Sequence, residues 1–214
     1  MIGALFQLQD LGFAYPGQPP LLQGLSLTID AGEKILLQGA NGCGKSTFLK
    51  LLAGILKPQA GTLLLRNKPP SEQSPKAFRE LVFCRQKASD NLFGLTPGHD
   101  LEAWRLAWPE RFGEQSVRNL DDPLLDMLDV PYGKLSAGEL RACTLMWLPL
   151  LSDKFWLLDE PTAGLDAGRQ KRFAEMCAGK VDGGFLIVSH SPALPAGIFD
   201  RVLFMANGNL RERK

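Results

Sequence analysis

The chain has 214 residues, of which 45% are hydrophobic, and its formal charge is +1. That apolar content supports one compact domain with a sizeable core and excludes intrinsic disorder. The near-neutral balance excludes wrapping nucleic acid, or coating an acidic membrane, by electrostatics alone.

The opening MIGALFQLQDLGFAYPG has no cationic start leading into a continuous apolar run, so no secretory signal is expected. KILLQ (34–38) reads as a buried strand that ends at a glycine-rich turn, and KSTFLKLLAGIL (45–56) has helical spacing that stops before Pro58. TLLLR (62–66) and LVFCR (81–85) read as further strands. The chain then changes character, with Trp104, Trp108, several prolines and PLLDMLD predicting short helices without strands. We place an inserted helical subdomain at about 88–150 within a single domain spanning 1–214. FWLLDE, FLIVSH and RVLFM return to strand character, GRQKRFAEMCA is helical between the first two, and RERK is a solvated tail. Alternating strands and helices predict an α/β fold.

Charge is unevenly placed along this order. Residues 57–87 hold seven Lys/Arg against two Asp/Glu, whereas residues 88–130 hold nine Asp/Glu against three Arg. Solvated faces explain such runs in the simplest way. The four cysteines form no CxxC pair and have no histidine at metal spacing, which fits a reduced cytoplasmic setting. Nowhere do about twenty apolar residues run together to cross a bilayer, and TLMWLPLL is both short and interrupted by Pro149. The chain is expected to be soluble.

The chemistry begins at GANGCGKS (39–46), which matches G-x-x-x-x-G-K-[ST] between a strand and a helix. Gly39, Gly42 and Gly44 let the backbone turn its N–H groups towards phosphate oxygens, with Asn41 and Cys43 between them, and the helix start adds its positive dipole end. Lys45 reaches the β- and γ-phosphates, the Ser46 hydroxyl can ligate Mg²⁺, and Thr47 is placed for the α-phosphate. The chain is therefore expected to bind a nucleoside triphosphate. Cys43 is either a small residue that fits or a thiol activated by the helix start, open to alkylation that ATP prevents.

FWLLDEPTAGLD then ends an apolar strand on two adjacent carboxylates, at the strand end where ligands gather in doubly wound sheets. Asp159 suits the water shell of Mg²⁺, and Glu160 suits orienting the attacking water. His190, closing FLIVSH at the same edge, is placed for a γ-phosphate contact.

With KLSAGELR (134–141) the chain resembles the nucleotide-binding subunits of ATP-binding cassette (ABC) transporters. LSAGE is similar to their LSGGQ signature, and GANGCGKST, FWLLDEP, GLD and VSH follow in the family's order. The resemblance covers essentially the whole chain. It implies a P-loop NTPase fold: a mostly parallel core sheet, an N-terminal antiparallel β part and an inserted helical subdomain. It also implies an ATPase using ATP and Mg²⁺, peripheral at the cytoplasmic face of the membrane. Its expected partners are a second ABC ATPase, identical or different, and transmembrane subunits, with no nucleic acid. Tyr15 in FAYPG matches the aromatic that stacks on adenine, Gln86 the glutamine linking Mg²⁺ to the membrane partner, and Asp166 in GLD the residue that communicates across the dimer. Ser136, Ala137, Gly138 and Glu139 then face ATP held by the opposite subunit. A helix start behind small residues is a second anion site, which explains why one chain carries it in addition to a P-loop.

Three positions depart from that pattern. Ala137 replaces a glycine, and Glu139 replaces a glutamine, where it either repels the nucleotide or bonds locally to early-helix N–H groups. Pro149 falls late in the signature helix and should kink or end it.

RQKASDNLFGLT resembles the FQNPDDQLFG-TV segment of energy-coupling factor importer ATPases, with Arg85, Lys87 and Ala88 departing from it. That resemblance implies metal-ion or vitamin uptake. An acidic groove carrying Asp90 and Asp100 is then expected to receive arginine-bearing helices of the membrane partner. The rivals are the haem-export ATPase of cytochrome c maturation, which is similarly short and carries an LSAG-type signature, and a soluble cassette ATPase of DNA repair or translation. Only fifty residues separate Gln86 from Ser136, which leaves no room for the long insertions of the soluble class.

Overall fold

The computed structural model describes residues 3–70, 77–120 and 122–212. Arg213 and Lys214 of the expected tail lie outside them.

Two sheets organise the chain. The strands β1 (Ala4–Phe13), β2 (Leu22–Asp30) and β4 (Ala60–Leu65) form an antiparallel sheet in the order β2-β1-β4. The second sheet runs β5-β6-β7-β3-β8-β9, with β3 at Lys34–Gly39, β5 at Leu81–Cys84, β6 at Phe155–Asp159, β7 at Phe185–Val188, β8 at Arg201–Ala206 and β9 at Asn209–Glu212. It is parallel except for β9, which pairs antiparallel to β8. The α/β P-loop architecture expected from the sequence is the one observed.

Every residue of β6 and β7 is buried, the condition of parallel strands covered on both faces, so FWLLD and FLIV read as continuous apolar runs rather than alternating ones. One core lies between the two sheets, around Phe6, Phe48, Ile35 and Phe155, and Phe6 meets Phe155 edge-to-face at 5.9 Å. It also buries one face of α1 (Lys45–Leu52). The other core joins the opposite sheet face to α2 (Pro97–Ala107), α3 (Glu114–Arg118), α4 (Ala137–Leu145) and α5 (Ala167–Gly179).

Among the described residues no strand occurs between Cys84 and Phe155. That stretch is held by its own aromatic stack: Trp104 lies parallel to Phe112 at 5.4 Å and to Trp108 at 5.3 Å. α4 ends at Leu145, and a 3₁₀ turn over Leu148–Leu151 comes next. Pro149 accounts for that stop, because its ring clashes with the carbonyl four residues back, at Leu145. No helix of the described residues is long and apolar enough to cross a membrane.

Candidate functional site

β6, β7 and β3 are adjacent and parallel in the sheet, so the loops that leave these three strands converge at one edge. The loop after β3 is held by left-handed glycines, with φ of 77° at Gly42 and 109° at Gly44, and a Cβ on Gly44 would come 2.7 Å from the Leu22 side chain. Lys45 is buried and curls back over this loop, its Nζ donating to the carbonyls of Gly39 at 2.7 Å and Ala40 at 2.9 Å. The Ser46 side chain lies near the buried Asp159 carboxylate and favours its charged form. Thr47 pairs its hydroxyl with that of Tyr15 at 3.1 Å, and the Tyr15 ring stands edge-on to Phe13 at 5.0 Å. The stacking aromatic expected from FAYPG is thereby tied to the first turn of α1. Asn41 is exposed on the loop, and Cys43 is partly buried.

The two carboxylates after β6 differ in setting. Burial pushes the Asp159 carboxyl above its ordinary range, opposed by the Ser46 side chain and the Lys45 charge. Burial also raises Glu160, opposed by the charge of His190 and by a hydrogen bond from the His190 backbone. Glu160 takes a left-handed backbone, φ 49°, secured by its N–H donating to the Val188 carbonyl at 2.9 Å. Such a conformation costs about 1–3 kcal/mol in a residue that is not glycine, and it persists here because the strand ends over-determine it. His190 Nε2 lies 3.7 Å from Glu160 Oε1, with the imidazole half exposed and the Glu160 side chain only 18% exposed.

The signature residues sit elsewhere. Ser136 caps α4: its Oγ accepts from the Glu139 N–H at 3.2 Å, while Glu139 Oε2 accepts from the Ser136 N–H at 2.8 Å and the Ser136 hydroxyl at 2.7 Å. Glu139 therefore bonds locally, and those two bonds hold its carboxyl below the ordinary glutamate range. Gly138 admits no side chain, since a Cβ there would lie 2.8 Å from the Gly164 carbonyl, whereas Ala137 is exposed. Asp166 caps α5 through the Arg169 N–H at 2.9 Å and pairs with its guanidinium at 3.0 Å. Among the described residues no hydrogen bond or ion pair joins Ser136–Glu139 to the P-loop of the same chain.

Gln86 is exposed just past β5, and its backbone carbonyl accepts from the buried Arg141 of α4. Sequence reasoning missed Arg141, although it closes KLSAGELR; a cation one and a half turns into a helix reads as solvated unless the opposing carbonyls are known. Asp100 also departs from expectation. It is 3% exposed rather than on a docking surface, and it accepts from the N–H groups of Phe93 at 3.0 Å and Gly94 at 2.6 Å and from the Tyr132 hydroxyl at 2.9 Å. Asp90 is exposed as expected.

A family model described as "ABC transporter" matches residues 22–163. A Rhizobium meliloti protein described as "Cytochrome c biogenesis ATP-binding export protein CcmA" is 31% identical over 187 residues, covering 85% of this chain and 89% of its own. Its namesake in Gluconobacter oxydans is 32% identical over 196 residues, covering 90% and 84%. Among solved structures, cbiO1 of Clostridium perfringens, "part of the ABC transporter complex cbiONQ", has a TM-score of 0.76 at 24% identity, covering 97% of this chain and 87% of that one. A dimeric ATP-binding cassette in a post-hydrolysis state with ADP and Pi has a TM-score of 0.81 at 18% identity, covering 98% of both chains.

Proposed function

Given that this chain belongs to the ABC transporter family, as an ATP-binding subunit whose ATP hydrolysis is coupled to transport, we propose that its catalytic centre is completed only when two subunits meet. The observation that carries this reading is the separation of the P-loop and its carboxylates from the capped helix start at Ser136, with no hydrogen bond or ion pair between them among the described residues. In a head-to-tail pair each helix start closes over the other subunit's ATP, an isologous arrangement.

In this reading Tyr15 stacks on adenine, and the N–H groups of residues 39–47 with Lys45 hold the phosphates. Glu160 positions the water, His190 steadies the γ-phosphate, and Asp166 carries contact across the dimer. A divalent cation suits the donors present, the Ser46 hydroxyl and the Asp159 carboxylate, with Gln86 joining them from the turn after β5. Among the described residues no three His, Cys, Asp or Glu side chains gather around one point. Ser46 and Asp159 would hold such an ion together with phosphate and water oxygens, as Mg²⁺ prefers, and it would supply charge neutralisation at the transferring phosphoryl group. The helical stretch at about 88–150 acts as a subdomain that carries the signature. A groove of about 310 Å³ lined by Arg85, Asp90, Phe93, Trp104 and Trp108 supports a docking place for the membrane subunits at the cytoplasmic side.

Export in cytochrome c biogenesis is the cargo reading that the relatives at 31–32% identity support. Metal-ion or vitamin uptake is the second, supported by the DNLFGLT segment that carries the exposed Phe93 and Leu95. Restoring holocytochrome c in a strain lacking its own biogenesis ATPase, with Glu160→Gln as the inactive control, separates the two. The dimer itself is tested by sizing Glu160→Gln with and without MgATP: a shift from monomer to dimer supports the shared site, and no shift rejects a dimer of identical chains.

A further inference from the structure

We propose that Arg141 is a positioning residue that couples the two ATP sites of such a dimer, by tying the signature helix to the Gln86 turn of the same subunit. The inference rests on the composite-site reading above.

Arg141 sits on α4 five residues past its Ser136 cap, about 7.5 Å along a rigid helix. Only 4% exposed, it directs both terminal nitrogens at one turn: Nη1 donates to the Arg85 carbonyl at 3.0 Å and Nη2 to the Gln86 carbonyl. The planar guanidinium makes this a two-point grip that a single-point cation cannot reproduce.

The turn it grips is stiff in its own right. Asn91 accepts from the Arg85 N–H at 2.7 Å and donates to the carbonyls of Arg85 and Lys87, both at 3.1 Å, and of Ala88 at 3.3 Å. A displacement of α4 therefore carries Arg85–Ala88 with it as one piece, Gln86 included. Ser136 faces the partner's nucleotide and Gln86 the subunit's own metal, so one bonded path runs from one ATP to the other.

Two further features suit a moving part. Arg141 Nε is buried without a hydrogen-bond partner among the described residues, which disfavours this arrangement relative to one that supplies an acceptor. The Arg141 charge is also attracted by Asp159 and Glu160, so its position bears on the carboxylates as well as on the turn.

The test combines Arg141→Met or Arg141→Lys with Glu160→Gln in the full chain, measuring MgATP affinity by calorimetry and dimer formation by sizing at graded MgATP. The Met variant is expected to keep the MgATP affinity of its monomer, measured at protein concentrations below those that dimerise, within about twofold yet to need roughly 5- to 150-fold more MgATP to dimerise, the usual span of site-to-site coupling. The Lys variant is expected to fall between. If Glu160→Gln dimerises and both double variants do so at the same MgATP concentration, Arg141 transmits nothing and the proposal fails while the shared site stands. If both Arg141 variants lose MgATP binding outright, the residue serves the fold and coupling is likewise rejected. If Glu160→Gln alone does not dimerise, the shared site falls and takes this coupling with it.

Discussion

Asp100→Ala distinguishes a structural carboxylate from a docking one. The substitution removes one acceptor from three donors, the N–H groups of Phe93 and Gly94 and the Tyr132 hydroxyl. Hydrogen bonds to a charged group contribute about 1.5–3 kcal/mol each, and bonds sharing one carboxylate do not add, so the expected loss is about 3 kcal/mol. For a chain of this size each kcal/mol shifts Tm by about 2–4 °C, which gives a fall of about 6–12 °C by calorimetry. MgATP affinity should hold, because none of these groups touches the P-loop. Tyr132→Phe supplies the second corner of a double-mutant cycle with a coupling of at least about 0.5 kcal/mol. The phenol's pKa, pushed above its ordinary value by burial and by the Asp100 bond, should drop in Asp100→Ala. A Tm unchanged within about 1 °C, combined with loss of the membrane partner on co-purification, would refute this reasoning and restore Asp100 to the surface groove. Reversing the exposed Asp90 is the fair probe of that groove, and it is expected to weaken co-purification while leaving Tm and ATP binding alone.

Glu160→Gln should lose turnover but keep ATP binding. It should also melt higher at neutral pH: a carboxyl whose folded pKa is raised binds more protons folded than unfolded between its two pKa values, so stability declines as pH rises through that window, and the neutral amide escapes the loss; an unchanged or lower Tm at pH 7 counts against it. The acidic limb of kcat should lie above the ordinary glutamate range and move higher still in His190→Ala, which removes a charge that lowers Glu160. Glu139→Gln removes the carboxylate that engages the Ser136 hydroxyl, so MgATP should dimerise it, on the Glu160→Gln background, at lower concentration than the parent; an equal midpoint refutes a restraining role. Iodoacetamide should label Cys43 selectively, because burial pushes the thiols of Cys84 and Cys177 up to about 12 and that of Cys143 up to about 11. MgATP should slow that labelling, and equal rates with and without it would show that the thiol lies clear of the nucleotide.

What could be read from the residues was whatever is encoded locally. A P-loop is one contiguous stretch whose glycines are forced by backbone geometry, and the strand–carboxylate run of FWLLDE announces both its burial and its exit edge. Glu139 could be weighed in advance because a capping box spans only three residues. Asp100 and Arg141 were opaque for the opposite reason. An acidic residue in an acidic stretch looks solvated, and only the return of Tyr132, thirty-two positions on, makes Asp100 a buried hub. Arg141 reaches carbonyls fifty-five and fifty-six residues earlier, and carbonyls carry no side-chain signature at all. Sequence therefore exposes the groups proposed to touch nucleotide and hides those that hold them in place, since the latter bond mainly to backbone. Asp100 and Arg141 make up that hidden set, one holding the turn at Phe93 and Gly94 and the other the carbonyls of Arg85 and Gln86, whereas Glu139, two residues before Arg141 on the same helix, belongs to the set that sequence shows.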